Sequence, residues 1–341
     1  MSAVEQDSEI WSRSTIVEFS RHALQSCGAD STASLTMANA IAAAEFDGIP
    51  SHGLAYLPTY CEHLKCGKIN RVASVTASED GPIVRVDADS GFAHPAIDKA
   101  FERLVPSARR YGVSVAAIRN SYNCGVLGYH TEFLGRQGLV GIAFTNAPAS
   151  IAPWGGLKPL FGTNPISVAA PDGKGGIAFI IDQSASVVSK SEVISHQRQG
   201  KEIPLGWTFD SQGQPTADPA LGLKGTMVPS GGAKGVGLAL FVELMAACLT
   251  GANLGSKAAP FSGTDGGPPR TGQFFIAIDP ISTSSGAYAA QIKQLVESIA
   301  DVEGARFPGA RRLAHRLAAD QIGVRLKIAT IDRVKAVLSS T

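Results

Sequence analysis

The chain is poor in everything that holds a polyanion or a bilayer. Its 341 residues include 30 basic and 29 acidic side chains, a formal net charge of +1. No overall field therefore attracts nucleic acid or an anionic membrane, and no basic run supplies a local one. The longest apolar stretches, such as Leu238 to Cys248 broken at Glu243, fall short of the roughly 20 residues a membrane helix needs. The opening MSAVEQDSEIWSRS carries acids and no apolar segment, so it does not read as a secretory signal. Five cysteines (Cys27, Cys61, Cys66, Cys124, Cys248) form no CxxC pair, which fits reduced thiols and a cytoplasmic setting better than a disulfide framework. The expected partner is a small molecule, with no nucleic acid, membrane or metal.

Familiar site motifs are missing too. No glycines stand at GxGxxG spacing, and GxxxxGK[ST], GxSxG and HExxH are all absent. An ordinary Rossmann dinucleotide site, a P-loop, a nucleophile elbow and a zinc centre lose their support together.

What is abundant is turn material, 37 glycines and 19 prolines, which with the alternation of patterns points to an α/β protein. Helical spacing runs from Trp11 to Phe46 as two helices split at CGADSTAS, and a further helix is expected from Leu54 to Cys66. IVRVDADSG reads as a strand, Pro95 to Tyr111 as a helix and VSVAAIRNS as a strand. Strand-like runs return at Leu139 to Asn146, Pro165 to Ala170, Ile177 to Asp182 and Gln273 to Asp279, around a buried helix from Lys234 to Thr250. AYAAQIKQLVESIA and ARRLAHRLAAD read as helices, and VRLKIATI as a late strand. Gly255 to Gly272 is a loop by composition, either near a site or an exposed excursion.

Three turns are candidates for chemistry. In Asp47-Gly-Ile-Pro-Ser51-His52-Gly53 a histidine sits in a glycine-flanked turn, where an imidazole with a pKa near 6.5 suits proton transfer and Ser51 both donates and accepts. Pro159-Leu-Phe-Gly162-Thr163-Asn164-Pro165 is a tight turn able to aim N–H groups and the Thr163 hydroxyl at a carboxylate. Ser230-Gly-Gly-Ala-Lys234-Gly235 precedes a long helix, the recipe for an anion cradle. Plain helix caps account for the same residues. Weaker candidates are Glu192, able to orient a histidine, and Phe307-Pro308-Gly309-Ala-Arg311-Arg312, able to hold phosphate. His22, His63, His196 and His315 lack partner spacing and read as surface or structural.

With SHG at Ser51, VDADSGFAHPA at Val86, PLFGTNPI at Pro159, GGAKG at Gly231, VELMAACLTGAN at Val242 and FPGARR at Phe307, the chain resembles the malate/L-lactate dehydrogenase family, which is unrelated to the Rossmann dehydrogenases. Within it the likeness is greatest to bacterial Δ1-piperideine-2-carboxylate/Δ1-pyrroline-2-carboxylate reductases. The resemblance implies a non-Rossmann NAD(P)-binding α/β fold, a mixed sheet flanked by helices, with N- and C-terminal helical segments. Residues 1–80 with 285–341 would form a helical lobe bearing the histidine, and residues 81–284 the dinucleotide-binding lobe.

It also implies roles. His52 would donate a proton as hydride arrives, with Ser51 and Glu192 as a relay favouring the protonated imidazole. Tyr56 and Thr163 would meet the substrate carboxylate. Asn123, Cys124, Gly125, Val126 and Leu127, then Ile181, Asp182 and Gln183, then Ala233 and Lys234, and Phe307, Pro308, Gly309, Arg311 and Arg312 fall where the family contacts its dinucleotide. The basic residues favour NADPH, with NADH possible, and a homodimer is expected. Two positions depart from the family. Tyr56 stands where an arginine usually clamps the carboxylate, so either another cation such as Arg119 takes over or the substrate differs, and Asn123 replaces a histidine. The expected reaction is reduction of a small cyclic imino acid to L-pipecolate or L-proline. The alternatives are a 2-hydroxyacid dehydrogenase acting on malate, L-lactate or sulfolactate, and, more remotely, an inactive dinucleotide-binding homologue.

Overall fold

In the computed structural model, which describes residues 7–339, the chain runs as β1 (Ser8–Trp11), α1 (Arg13–Ser26), α2 (Ser31–Phe46), a 3₁₀ turn (Pro50–His52) and α3 (Leu57–Lys65). Next come β2 (Thr76–Asp80), β3 (Ile83–Asp87), α4 (Ala93–Tyr111), β4 (Val113–Ser121), α5 (Leu127–Arg136), β5 (Val140–Thr145), β6 (Ile166–Pro171) and β7 (Ile177–Gln183). An excursion holds α6 (Lys190–Arg198), β8 (Thr208–Phe209), β9 (Pro215–Thr216), α7 (Pro219–Lys224) and β10 (Thr226–Met227). The chain returns through α8 (Ala233–Glu243), a π turn (Leu244–Cys248) and β11 (Thr271–Ile278), then α9 (Pro280–Ser284), α10 (Tyr288–Ala300), α11 (Ala310–Ile322), β12 (Val324–Lys327) and α12 (Ile328–Ser339).

Seven strands form one mixed sheet in the order β2-β3-β4-β11-β5-β6-β7. Only β3 and β4 run parallel, joined through α4; the other neighbours are antiparallel. Central β11 explains its own sequence. Phe275 and Ala277 pack with Ile97, Phe101 and Leu104 of α4 on one face, while Phe274 packs with Val242 and Ala246 on the other. A strand buried on both sides has no polar face, hence the unbroken run FFIAI.

The helical cluster is separate. Ile16, Leu24, Met37, Ile41, Leu57 and Tyr60 of α1, α2 and α3 bury against Ile331 and Val334 of α12. Asp30 caps α2 by accepting from Thr32 and Ala33 N–H. Two expectations need correction. The run VRLKIATI is strand only over Val324–Lys327, because Ile331 and Val334 share a helical face that α12 buries. The helix expected over 234–250 passes at Leu244 into a π turn. The strand β2, the helix α5 and the excursion helix α6 escaped the sequence reading.

Candidate active site

Pro50 at the first position of the 3₁₀ turn fixes the backbone that presents Ser51 and His52, both half-buried. Ser51 Oγ lies 3.1 Å from His52 Nδ1, leaving Nε2 as the other exchangeable position. The turn is held from behind: Glu45 of α2, itself buried, accepts the Leu54 N–H at 2.6 Å. Burial pushes the Glu45 carboxyl up to about 7, against the pull of that N–H.

The charge that acts on His52 comes from across the molecule. Burial lowers the imidazole pKa, Asp182 raises it and Arg312 lowers it again, the net direction being down. Burial outweighs the Asp182 carboxylate, and Arg312 offsets that carboxylate further. Asp182 Oδ2 accepts from Arg312 at 3.0 Å and from the Gly128 N–H, at the start of α5, at 2.8 Å. Arg312 Nε is also 3.8 Å from Asp47.

One helical turn on, Arg316 donates to both Asp47 oxygens, at 2.7 and 2.9 Å, and to both Glu132 oxygens, at 2.5 and 2.8 Å. Arginines of α11 thus join the segment leading to His52, the end of β7 and helix α5.

Other expected site residues divide as follows. Glu192 lies on α6, not in a loop; that helix packs against the turn bearing His52, the Glu192 carboxylate is 3.6 Å from His196 Nδ1, and the charges that act on His52 include Asp182 and Arg312. Tyr56 donates to the Phe261 carbonyl at 3.1 Å, and burial pushes its phenol up to about 12. Asn123 Oδ1 accepts the Gly125 N–H at 2.5 Å, shaping the 123–127 turn ahead of α5. Cys124 is buried, its thiol is pushed up to about 12 by burial, and its carbonyl lies 2.9 Å from His130 Nε2. Arg119 pairs with Asp87 at 3.0 Å.

The Thr163 carbonyl accepts from Ala185 N–H at 2.8 Å, while buried Asn164 donates to the Ala239 carbonyl and to Glu243, at 2.8 and 2.7 Å, locking the turn onto α8. The segments at 181–183 and 307–312 meet at the Arg312–Asp182 pair.

A dinucleotide fits the glycine turn before α8. Gly231 and Gly232 have φ of +69° and +65°, which glycine adopts without strain, and α8 starts without a side-chain cap, the kind of helix start that suits an anion. Lys234 is exposed, and the exposed ring of Trp154 stands over Gly232, 3.3 Å from where a Cβ would lie. Trp154 and Arg316 were not read as site residues, nor was Asp182 read as the partner of His52. Only an exposed tryptophan among glycines offered a signal for any of them.

Among the described residues no group of three metal-ligating side chains converges and no helix is long and apolar enough to cross a membrane. A half-buried histidine, a carboxylate whose charge acts on it and a helix start without a side-chain cap are parts an NAD(P)-dependent oxidoreductase would use.

The comparisons give its family. The model for the malate/L-lactate dehydrogenases matches residues 11–335, and the chain belongs to that family. It is 41% identical to the (2R)-3-sulfolactate dehydrogenase (NADP(+)) of Chromohalobacter salexigens, over 92% of this chain and 93% of that one. It is 36% identical to a Δ1-pyrroline-2-carboxylate/Δ1-piperideine-2-carboxylate reductase of Pseudomonas putida, over 94% and 93%. The Δ1-piperideine-2-carboxylate reductase structure from Pseudomonas syringae superposes with a TM-score of 0.90 at 33% identity, covering 96% of this chain and 99% of that one.

Proposed function

We propose that this enzyme moves hydride between NADPH and C2 of a small 2-imino or 2-oxo carboxylate, with His52 carrying the accompanying proton. One observation supports the reading: a half-buried imidazole engaged by Ser51 at Nδ1 and within the field of Asp182 and Arg312.

Bound reduced nicotinamide supplies the hydride. The chain's residues do the rest. Burial holds the His52 pKa down, and an arriving carboxylate brings negative charge that raises it, favouring proton loading when substrate is present. Ser51 fixes the ring so that Nε2 meets the substrate nitrogen or oxygen. In our reading Asp182 takes the orienting role that the resemblance gave Glu192. Lys234 and Arg311, exposed and without a salt bridge among the described residues, suit the cofactor phosphates. Arg312 is already committed to Asp182 and Asp47. NADPH over NADH is supported by the NADP(+) in the name of the sulfolactate dehydrogenase.

The first substrate reading is a cyclic imino acid, Δ1-piperideine-2-carboxylate or Δ1-pyrroline-2-carboxylate, reduced to L-pipecolate or L-proline. The 41% identity to a sulfolactate dehydrogenase, against 36% to the reductase, favours as second reading a 2-hydroxy acid such as 3-sulfolactate. NADPH absorbance followed against both imines, pyruvate, oxaloacetate and 3-sulfopyruvate separates them. Turnover of the imines alone establishes the first reading and turnover of the oxo acids alone the second. Calorimetric NADPH binding with silence on all five overturns the enzymatic reading. We further propose a homodimer, supported by the exposed Leu240, Phe241 and Leu244 on α8 and its π turn. A monomeric mass by light scattering would refute it.

A further inference from the structure

The loop between the π turn and β11 is anchored in an unusual way. Four consecutive carbonyls, those of residues 260 to 263, all accept from side chains of one segment, residues 56 to 68. Lys68 Nζ donates to Pro260 O at 2.7 Å, to Gly263 O at 3.0 Å and to Ser262 O at 3.5 Å. Tyr56 donates to Phe261 O at 3.1 Å, and His63 Nε2 donates to Gly263 O at 2.9 Å. Because Nε2 faces a carbonyl it must carry the ring proton, so Nδ1 accepts from the Tyr122 hydroxyl, 2.5 Å away. The Phe261 ring then packs on Tyr122 at 5.3 Å.

Lys68 is 0% exposed, and no carboxylate contacts it among the described residues. A buried ammonium is tolerable only where dipoles replace its water, and here the strap's carbonyls are those dipoles. The charge of Asp265 acts on the ammonium as well, from beyond ion-pair distance.

We propose that residues 260–263 form a fixed strap beside the catalytic turn, set by Tyr56, His63 and Lys68, and that Tyr56 is a positioning residue acting through the strap. A phenol has one proton. Tyr56 gives it to Phe261 O, so it is not a donor to the substrate carboxylate, and the effect of Tyr56 on substrate affinity passes through the strap. The inference deepens the proposed reaction and rests on it for its kinetic arm only.

The test uses full-length Tyr56→Phe, Lys68→Met and the double variant. Amide hydrogen exchange by mass spectrometry reads residues 256–266, and steady-state kinetics use whichever substrate is turned over. Each single variant is expected to speed exchange in the strap and to raise substrate KM about tenfold, with kcat and NADPH affinity within about twofold, the scale of one lost hydrogen bond. The double variant should be no worse than the more severe single one. KM effects that multiply in the double variant, with strap exchange unchanged in Tyr56→Phe, would overturn the proposal and make Tyr56 a direct substrate ligand. Should Lys68→Met fail to fold, Tyr56→Phe decides by exchange alone, since unchanged exchange refutes the strap. If no substrate is turned over, the proposed reaction falls and the exchange data still judge the strap.

Discussion

Replacing Arg316 with Met tests whether α11 holds the catalytic turn. The guanidinium, 20% exposed, carries bidentate bonds to Asp47 and to Glu132, whose side chains are 4% and 9% exposed. Removing one partner of a buried pair costs about 3–5 kcal/mol because the other charge stays buried. The lower end applies, since Glu132 keeps Arg136 at 2.6 Å and Asp47 keeps Arg312 at 3.8 Å. With an unfolding entropy of about 2.1 cal/mol/K per residue, a loss of about 3 kcal/mol over this length lowers Tm by about 4 °C.

The pH dependence gives a second readout. Burial raises the Glu132 pKa, but the bonds and charge of Arg316 bring it net below its ordinary value. A carboxylate depressed in the folded state stabilises above its unfolded pKa, and that contribution is lost as pH falls through the folded value. In Arg316→Met most of this contribution is gone, so the variant loses less stability than the native chain between pH about 4.5 and its acid limit. Calorimetry or thermal circular dichroism across pH measures both effects. Because Asp47 lies in the segment leading to His52, kcat should fall by about tenfold as well. A Tm within about 1 °C of the native chain, with parallel pH curves, would refute the clamp.

Further outcomes follow from single atoms. Burial raises the Glu45 carboxyl to about 7, and a raised folded pKa means stability present below the unfolded value and lost as pH rises through 7. Glu45→Gln should therefore be more stable than the native chain at pH 8, by up to about 3 kcal/mol, and not at pH 5; equal unfolding curves at pH 8 would contradict the buried carboxyl. At Gly162 a Cβ would stand 2.3 Å from Ala147 O, so Gly162→Ala must shift the turn bearing Thr163. Substrate KM should rise by about tenfold or more while NADPH affinity holds, and unchanged KM would remove Thr163 from the substrate site.

The fold was legible wherever burial imposes a period. FFIAI, VSVAAIRNS and the helix from Pro95 to Tyr111 were legible because each meets a core on a fixed face. The edge strand β2, TASED, did not: it pairs on one side only and exposes nearly every residue, so no apolar alternation marks it. Helix α6 hid for the same reason, with Val193 its only buried residue. Of the site, the SHG turn stood out because its chemistry is local. The partner charge did not, because Asp182 reaches His52 only through the folding of β7, and Arg316 reaches Asp47 across 269 positions. The relay role of Glu192 came from the resemblance alone; in the structure its helix α6 packs against the turn that bears His52, and its carboxylate lies 3.6 Å from His196 Nδ1. The role of Gly255 to Gly272 was invisible to composition, since what fixes its backbone is a buried lysine.

The most direct test of the account is NADPH consumption by His52→Gln against the native enzyme, on the substrate the panel identifies, with NADPH affinity measured in parallel. The account predicts a loss of at least about a hundredfold in turnover at unchanged cofactor affinity. A variant that turned over near the native rate would contradict the assignment of His52 as the residue that moves the proton.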